Sequence, residues 1–257
     1  MQSTNLIYDG SFDGFLSAVF YAFEMKLNQV TIQNEFDSQS GLFSENETIF
    51  TDEVKANRVW NGLKSKLSPN GRHQLYYAFL SEQHGIENTL LNYIQYAFSQ
   101  DSPVDKDYSH PSVLKLAQIA KMVGREKHRM EAFVRFRLTK DNIYFASIEP
   151  DFNVLPLIQK HFKRRYADQK WIIYDIKRHY GLFYDLERVD IINMDFPAHF
   201  DFTKNNSDYF ADQEFEFQKL WRDYFKATNI KSRKNMKLHI RHVPKRYWKY
   251  LSEKQPD

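Results

Sequence analysis

The spacing of the apolar residues in this chain changes near Met130, and that change limits the folds open to it. From about Asp52 to Met130 they return every three or four positions, the repeat of a helix with one buried face. Val54, Val59, Leu63 and Leu67 form one such stripe, ending before Pro69. Leu75, Tyr76, Phe79 and Leu80 form the next, broken by Gly85, and Leu90, Leu91, Ile94, Tyr96, Ala97 and Phe98 a third. After Pro111 a long helix is expected, with Val113, Leu114, Leu116, Ala117, Ile119, Ala120 and Val123 on its apolar side. From Met130 onward "EAFVRFRL" alternates at period two, and a Lys140-Asp141-Asn142 turn leads into "NIYFASIEP", which together read as a hairpin. "NVLPLIQKHFKRRY" is helical, with Pro156 tolerated near its start, and "KWIIYDIKR", "YGLFYDL" and "RVDIINMD" read as three short strands.

The expected class is therefore α+β. The N-terminal half is helix-rich, the centre is a small antiparallel sheet in the order ββαβββ, and "QEFEFQKLWRDYFKATNI" opens a helical, basic C-terminus. The stretch "SQDSPVDKDYSHP" has linker composition. It separates residues 1–105 from 106–257, either as two domains or as one continuous one.

The opening "YDGSFDG" has three readings. Asp9-x-Ser11-x-Asp13-Gly14 imitates the start of a calcium loop, but the twelfth position, where such a loop needs Glu, is Phe20. A phosphate loop lacks its lysine here, and two carboxylates repel an anion. A strand-to-helix corner fits better. Leu6-Ile7-Tyr8 is a strand, Asp9-Gly10 turns, and Ser11 caps a helix whose N-terminus favours Asp13. Gln29–Ile32 then reads as a strand and "EFDSQSGLFSENET" as a polar loop.

The chain has 257 residues, 16% of them aromatic, so a real core is expected rather than disorder. It has no cysteine, which excludes disulfides, thiolate zinc sites, a Cys nucleophile and a protein-held iron–sulfur cluster. No GxGxxG, P-loop, HExxH or GxSxG pattern occurs. No cofactor and no metal site is expected; His239-x-x-His242 lies in a cationic stretch that disfavours a metal. With no signal-length or membrane-length apolar run, a cytoplasmic protein is expected.

Charge is uneven. Residues 1–100 carry 6 basic and 11 acidic side chains, residues 101–221 carry 19 of each, and residues 222–257 carry 11 and 3. That basic block interleaves cations with aromatics, the combination that neutralises phosphates and stacks on unpaired bases. Its candidate contacts are Arg233, Lys234, Lys237, Arg241, Lys245, Arg246 and Trp248, although Trp248 is also a natural core residue. Arg135 and Arg137, which share one side of the "FVRFR" strand, are candidates to extend the track. The candidate catalytic groups are Glu149, Asp151, His161 and Asp175, with Asp151 equally readable as the cap of the following helix.

The segments "YDGSFDGFLSAVF", "EAFVRFR…YFASIEPDFNVLPLIQKHFKRRYADQKWIIYDIKRHYGLFYD" and "LWRDYFKATNIKSRKN…HVPKRYWKYL" resemble, in collinear order, a bacterial family described as acting in DNA metabolism or DNA repair. Members of that family are associated with a radical SAM protein assigned to DNA modification or repair, and a related domain occurs fused to uracil-DNA glycosylase-like domains. The resemblance implies a DNA-binding accessory protein whose partners are DNA and a radical SAM enzyme. With no cysteine in this chain, the partner would hold the iron–sulfur cluster. The alternatives are an enzyme acting on damaged nucleic acid, and an interaction module that docks its partner without touching DNA.

Overall fold

The computed structural model describes residues 4–37, 45–197, 200–203, 208–228 and 236–254. The chain divides into two units, Met1–Gly124 and Arg125–Asp257. The dividing point falls inside the helix Pro111–Phe133. The linker-like segment around Pro103–Pro111 lies within the first unit.

The first unit holds β1 (Thr4–Tyr8), α1 (Phe12–Glu24), β2 (Val30–Asn34), β3 (Glu45–Thr48), α2 (Glu53–Lys66), α3 (Pro69–Phe79), α4 (Ile86–Ser99) and the first part of α5 (Pro111–Phe133). Its sheet has the order β2-β1-β3, with both pairs parallel. Parallel neighbours need a crossover, and α1 supplies it between β1 and β2. The corner at "YDGSFDG" is built as expected. Ser11 is the N-cap, accepting from Gly14 N at 2.9 Å and donating to Asp9 Oδ1 at 2.7 Å. Thr51 donates to the other Asp9 oxygen at 2.7 Å. Burial opposes ionisation of Asp9, but these hydrogen bonds outweigh it and hold the carboxyl below its ordinary value. Leu6, Phe15, Leu16, Ile32, Leu63, Leu75, Leu90 and Ile94 are fully buried.

Glu45–Thr48 is a strand, not the loop its polar composition suggests. Side-chain hydrogen bonds across the sheet replace apolar packing there. Asn5 donates to Gln33 Oε1 on one side and Asn46 Oδ1 on the other, both at 3.1 Å, and accepts from Thr31.

The second unit follows the expected element order, β4 (Arg137–Leu138), β5 (Tyr144–Ile148), α6 (Leu155–Arg165), β6 (Trp171–Asp175), β7 (Tyr180–Tyr184) and β8 (Val189–Ile192), and then α7 (Asp212–Thr228) and α8 (Met236–His242). Two 3-10 turns, Lys245–Tyr250 and Ser252–Lys254, close it. The mixed α and β content agrees with the sequence, but the sheet is not wholly antiparallel. In the order β4-β5-β6-β7-β8 the pair β5–β6 is parallel and the other three are antiparallel. The reason is α6, a crossover that returns the chain to the same end of the sheet. β6 is accordingly buried along its whole length.

The expected first strand of the hairpin shrinks to its last two residues, and its first three belong to a helix. α5 runs to Phe133, Val134 N still donates to Met130 O, and only Arg137–Leu138 pairs with β5. Met130 and Val134 are both buried and four residues apart, so the run satisfies a helical repeat as well as an alternating one. On one face of the sheet Trp171 packs with Phe162 of α6 and with Tyr184. On the other, Ile172 and Tyr174 pack with Phe145, Phe196, Phe202 and Phe210. Among the described residues no helix is long and apolar enough to cross a membrane.

Candidate functional site

Three of the four candidate catalytic groups meet in the second unit where β5 and β6 end, the edge of a parallel pair at which ligands usually sit. Asp175 is fully buried at the end of β6 and pairs with Arg178 Nη1 at 2.9 Å. Burial raises its carboxyl above the ordinary range, and Arg178 only partly opposes this. The same guanidinium donates to the carbonyls of Pro150 (3.2 Å) and Asp151 (3.1 Å), tying the two strand ends together. Asp151 is not the cap of α6. The N-cap is Val154, with no side-chain bond, and the Asp151 carboxylate instead holds Arg246 at 2.8 Å. Glu149 accepts from Lys249 and, at 2.6 Å, from Tyr250, and these bonds keep its carboxyl below the usual carboxylate value. His161 stands apart from this group on α6, its Nδ1 3.9 Å from Glu131 of α5.

The sequence did not single out Glu126, the residue that organises this region. Its carboxylate is 1% exposed and accepts from Arg246 Nη2 (2.9 and 3.1 Å), Asp151 N (3.0 Å) and the Tyr247 hydroxyl. A buried carboxylate needs such donors. The only sequence signal was a lone acid in the cationic run "GREKHRM", which reads equally well as a solvated helix face.

The candidate nucleic-acid contacts separate into three groups. Arg233 and Lys234 lie outside the described residues. Lys237, Arg241 and Lys245 are exposed and form no ion pair with any described residue. The others already have roles inside the unit. Arg246 is held by Glu126 and Asp151 and lies 4.7 Å from the Tyr247 ring. Arg135 pairs with Glu253 at 2.8 Å. Half-buried Trp248 donates to Val243 O at 3.0 Å. Arg137 is 8% exposed, donates to Phe202 O at 2.9 Å and lies 4.4 Å from the Phe210 ring. Burial lowers its pKa to about 10, with Glu214 and Asp201 opposing, so it stays charged at neutral pH. Arg135 and Arg137 therefore do not share a solvated strand face, because Arg135 precedes β4 and Arg137, within β4, is buried. Among the described residues no group of His, Asp and Glu is arranged to hold a metal.

A cavity of about 560 Å³ opens in this unit, within the usual range for small-ligand sites. Arg137 and Tyr144 come from the β4–β5 edge, and Arg165 and Gln169 from the end of α6 and the residues after it. α7 contributes Glu214, Phe217, Gln218 and Trp221, a helical stripe at i, i+3, i+4 and i+7. Phe217 is 61% exposed and Trp221 42% exposed. Tyr250, which bonds Glu149, also lines the cavity.

Residues 84–253, about two thirds of the chain, match the model of DUF4130, a domain of unknown function. Nothing among curated proteins matches. Among solved structures, a pGpG-specific phosphodiesterase, PggH from Vibrio cholerae, is similar at a TM-score of 0.32 and 10% identity, over 71% of this chain and 81% of that one. A likeness at that level carries no argument about this chain's reaction.

Proposed function

The chain belongs to the DUF4130 family of domains of unknown function, and we propose that it is a DNA-binding accessory protein of bacterial DNA repair or modification. The observation that carries the proposal is the distribution of charge between the units. Arg125–Asp257 has 27 basic and 19 acidic side chains, while Met1–Gly124 has 9 and 14. Much of the positive excess is satisfied internally, as at Arg246 and Arg135, but Lys237, Arg241 and Lys245 are exposed with no counter-charge among the described residues. Cations placed in this way are available to phosphates. The repair setting, and a radical SAM partner that holds the iron–sulfur cluster, follow from the family resemblance together with the absence of cysteine.

The test is fluorescence-anisotropy binding of the full chain to single-stranded, duplex and uracil-containing duplex DNA at low and high salt. Binding that weakens steeply with salt is expected. Absence of binding at low salt overturns the proposal and leaves the basic surface to a protein partner.

A second reading, an enzyme acting on damaged nucleic acid, draws on one contact. Tyr250 joins the cavity to the Glu149 carboxylate. A carboxyl held below its ordinary value is ionised at neutral pH, so it can accept a proton but has none to donate. Turnover of a lesion-bearing oligonucleotide that is lost in Glu149→Gln would favour this reading, and no product from any lesion would remove it.

A further inference from the structure

We infer that the second unit's cavity is a binding site for a single nucleobase, stacked on the exposed rings of α7. The inference rests on the nucleic-acid reading above and adds to it where a base goes and which residues hold it. Phe217 and Trp221 lie one helical turn apart on the cavity side of α7, and both keep a large part of their surface in solvent. Exposed aromatic faces lining a cavity are stacking platforms, and every base offers a π-face to them.

The polar groups suit the edges of a base. Gln169 lines the cavity and its amide makes no hydrogen bond to any described residue, which leaves a donor and an acceptor for a ligand. The Tyr144 hydroxyl, also in the lining, likewise has no partner among the described residues. A base edge presents complementary donors and acceptors in one plane. At the end of α6, Arg165 lines the same cavity, is exposed and has no carboxylate partner among the described residues, its guanidinium lying 5.7 Å from the Tyr166 ring. It is placed to meet the phosphate of the nucleotide whose base is inside. A purely apolar ligand would leave Arg165, Gln169 and the Tyr144 hydroxyl unused.

The experiment compares binding of the full-length protein to a short single strand and to an abasic strand of the same length and charge. Wild type, Phe217→Ala, Gln169→Ala and Lys237→Gln are measured, each checked for an unchanged thermal midpoint. Wild type should prefer the base-bearing strand by about tenfold or more. That preference should collapse in Phe217→Ala and weaken in Gln169→Ala. Lys237→Gln should weaken both strands alike and keep the ratio. Equal affinity for the two strands in wild type, or a ratio unchanged in both cavity variants, overturns the inference while leaving DNA binding standing. If neither strand binds, titration with free deoxynucleoside monophosphates decides. Binding that is lost in Phe217→Ala upholds the base site although the DNA reading fails, and no binding overturns both.

Discussion

Replacing Arg246 by alanine should destabilise the second unit, although the residue lies in the basic block and reads from sequence as a surface cation. In the fold its guanidinium bridges Glu126, at 2.9 and 3.1 Å, and Asp151, at 2.8 Å. Glu126 is 1% exposed on its side chain, so removing Arg246 strips a buried carboxylate of its main counter-charge. Breaking a buried ion pair from one side costs about 3–5 kcal/mol. The cost here should be smaller, because the Arg246 side chain is 41% exposed and water can replace part of it, while Tyr247 and Asp151 N still donate to Glu126. A loss of about 2–3 kcal/mol is expected. The assay is urea unfolding followed by tryptophan fluorescence in a Trp60→Phe background, where Trp171, Trp221 and Trp248 all report on the second unit. With a slope of about 2 kcal/mol per molar urea, the midpoint should fall by about 1 M or slightly more. Adding Glu126→Gln should recover part of the loss, because it removes the stranded charge. A change below about 0.5 kcal/mol, the range of an ordinary surface substitution, would refute the reasoning and return Arg246 to the set of phosphate contacts.

Other consequences are open to direct measurement. Ser11→Ala removes the cap of α1 and a donor to Asp9, and should cost the first unit about 1 kcal/mol in urea unfolding followed through Trp60. Gly181→Ala should cost about 1–3 kcal/mol, since a Cβ at that position would lie 2.9 Å from the Ile173 carbonyl oxygen on the neighbouring strand, and backbone cannot easily yield. The carboxyls of Glu149 and Glu253 are held below their ordinary value of 4.5 in the fold, so the stability they contribute is complete above that pH and is lost as the pH falls through their lowered values. Glu149→Gln and Glu253→Gln should each flatten acid unfolding below about pH 4.5, and an unchanged acid limb in both would show that these contacts do not form in solution.

What the sequence revealed followed from local chemistry. The Ser11 cap, the helix stripes and the ββαβββ order rest on spacing and turn residues within one short window, and all three appear in the fold. What it concealed depends on partners far away in the chain. β3 looks like a loop until Asn46 is placed beside Asn5, 41 residues earlier. The parallel β5–β6 pair is a property of where α6 returns the chain, which no alternation pattern encodes. Residues 130–134 fit two periods at once, and the helix prevails because Met130 and Val134 are both buried. The candidate site follows the same division. Glu149, Asp151 and Asp175 were visible as strand-end carboxylates; Asp175 keeps a local partner, Arg178, but the uses of Glu149 and Asp151 depend on Arg246, Lys249 and Tyr250 arriving from about 100 residues downstream. The cations of the basic block are alike in sequence, and only burial and ion pairing separate Arg246 from Lys245. α7 was legible only as a helix, and the fold turns its Phe217 and Trp221 toward a cavity.

The measurement that bears most directly on the central claim is the salt dependence of DNA binding in the wild type and in the triple variant Lys237→Gln/Arg241→Gln/Lys245→Gln. Each phosphate contact contributes about 0.9 to the slope of log Kobs against log salt on duplex DNA. If these exposed cations meet the backbone, the variant should bind more weakly at low salt, with a slope shallower by about 2–3. Superimposable curves for the two proteins, or no binding by either, would contradict the account.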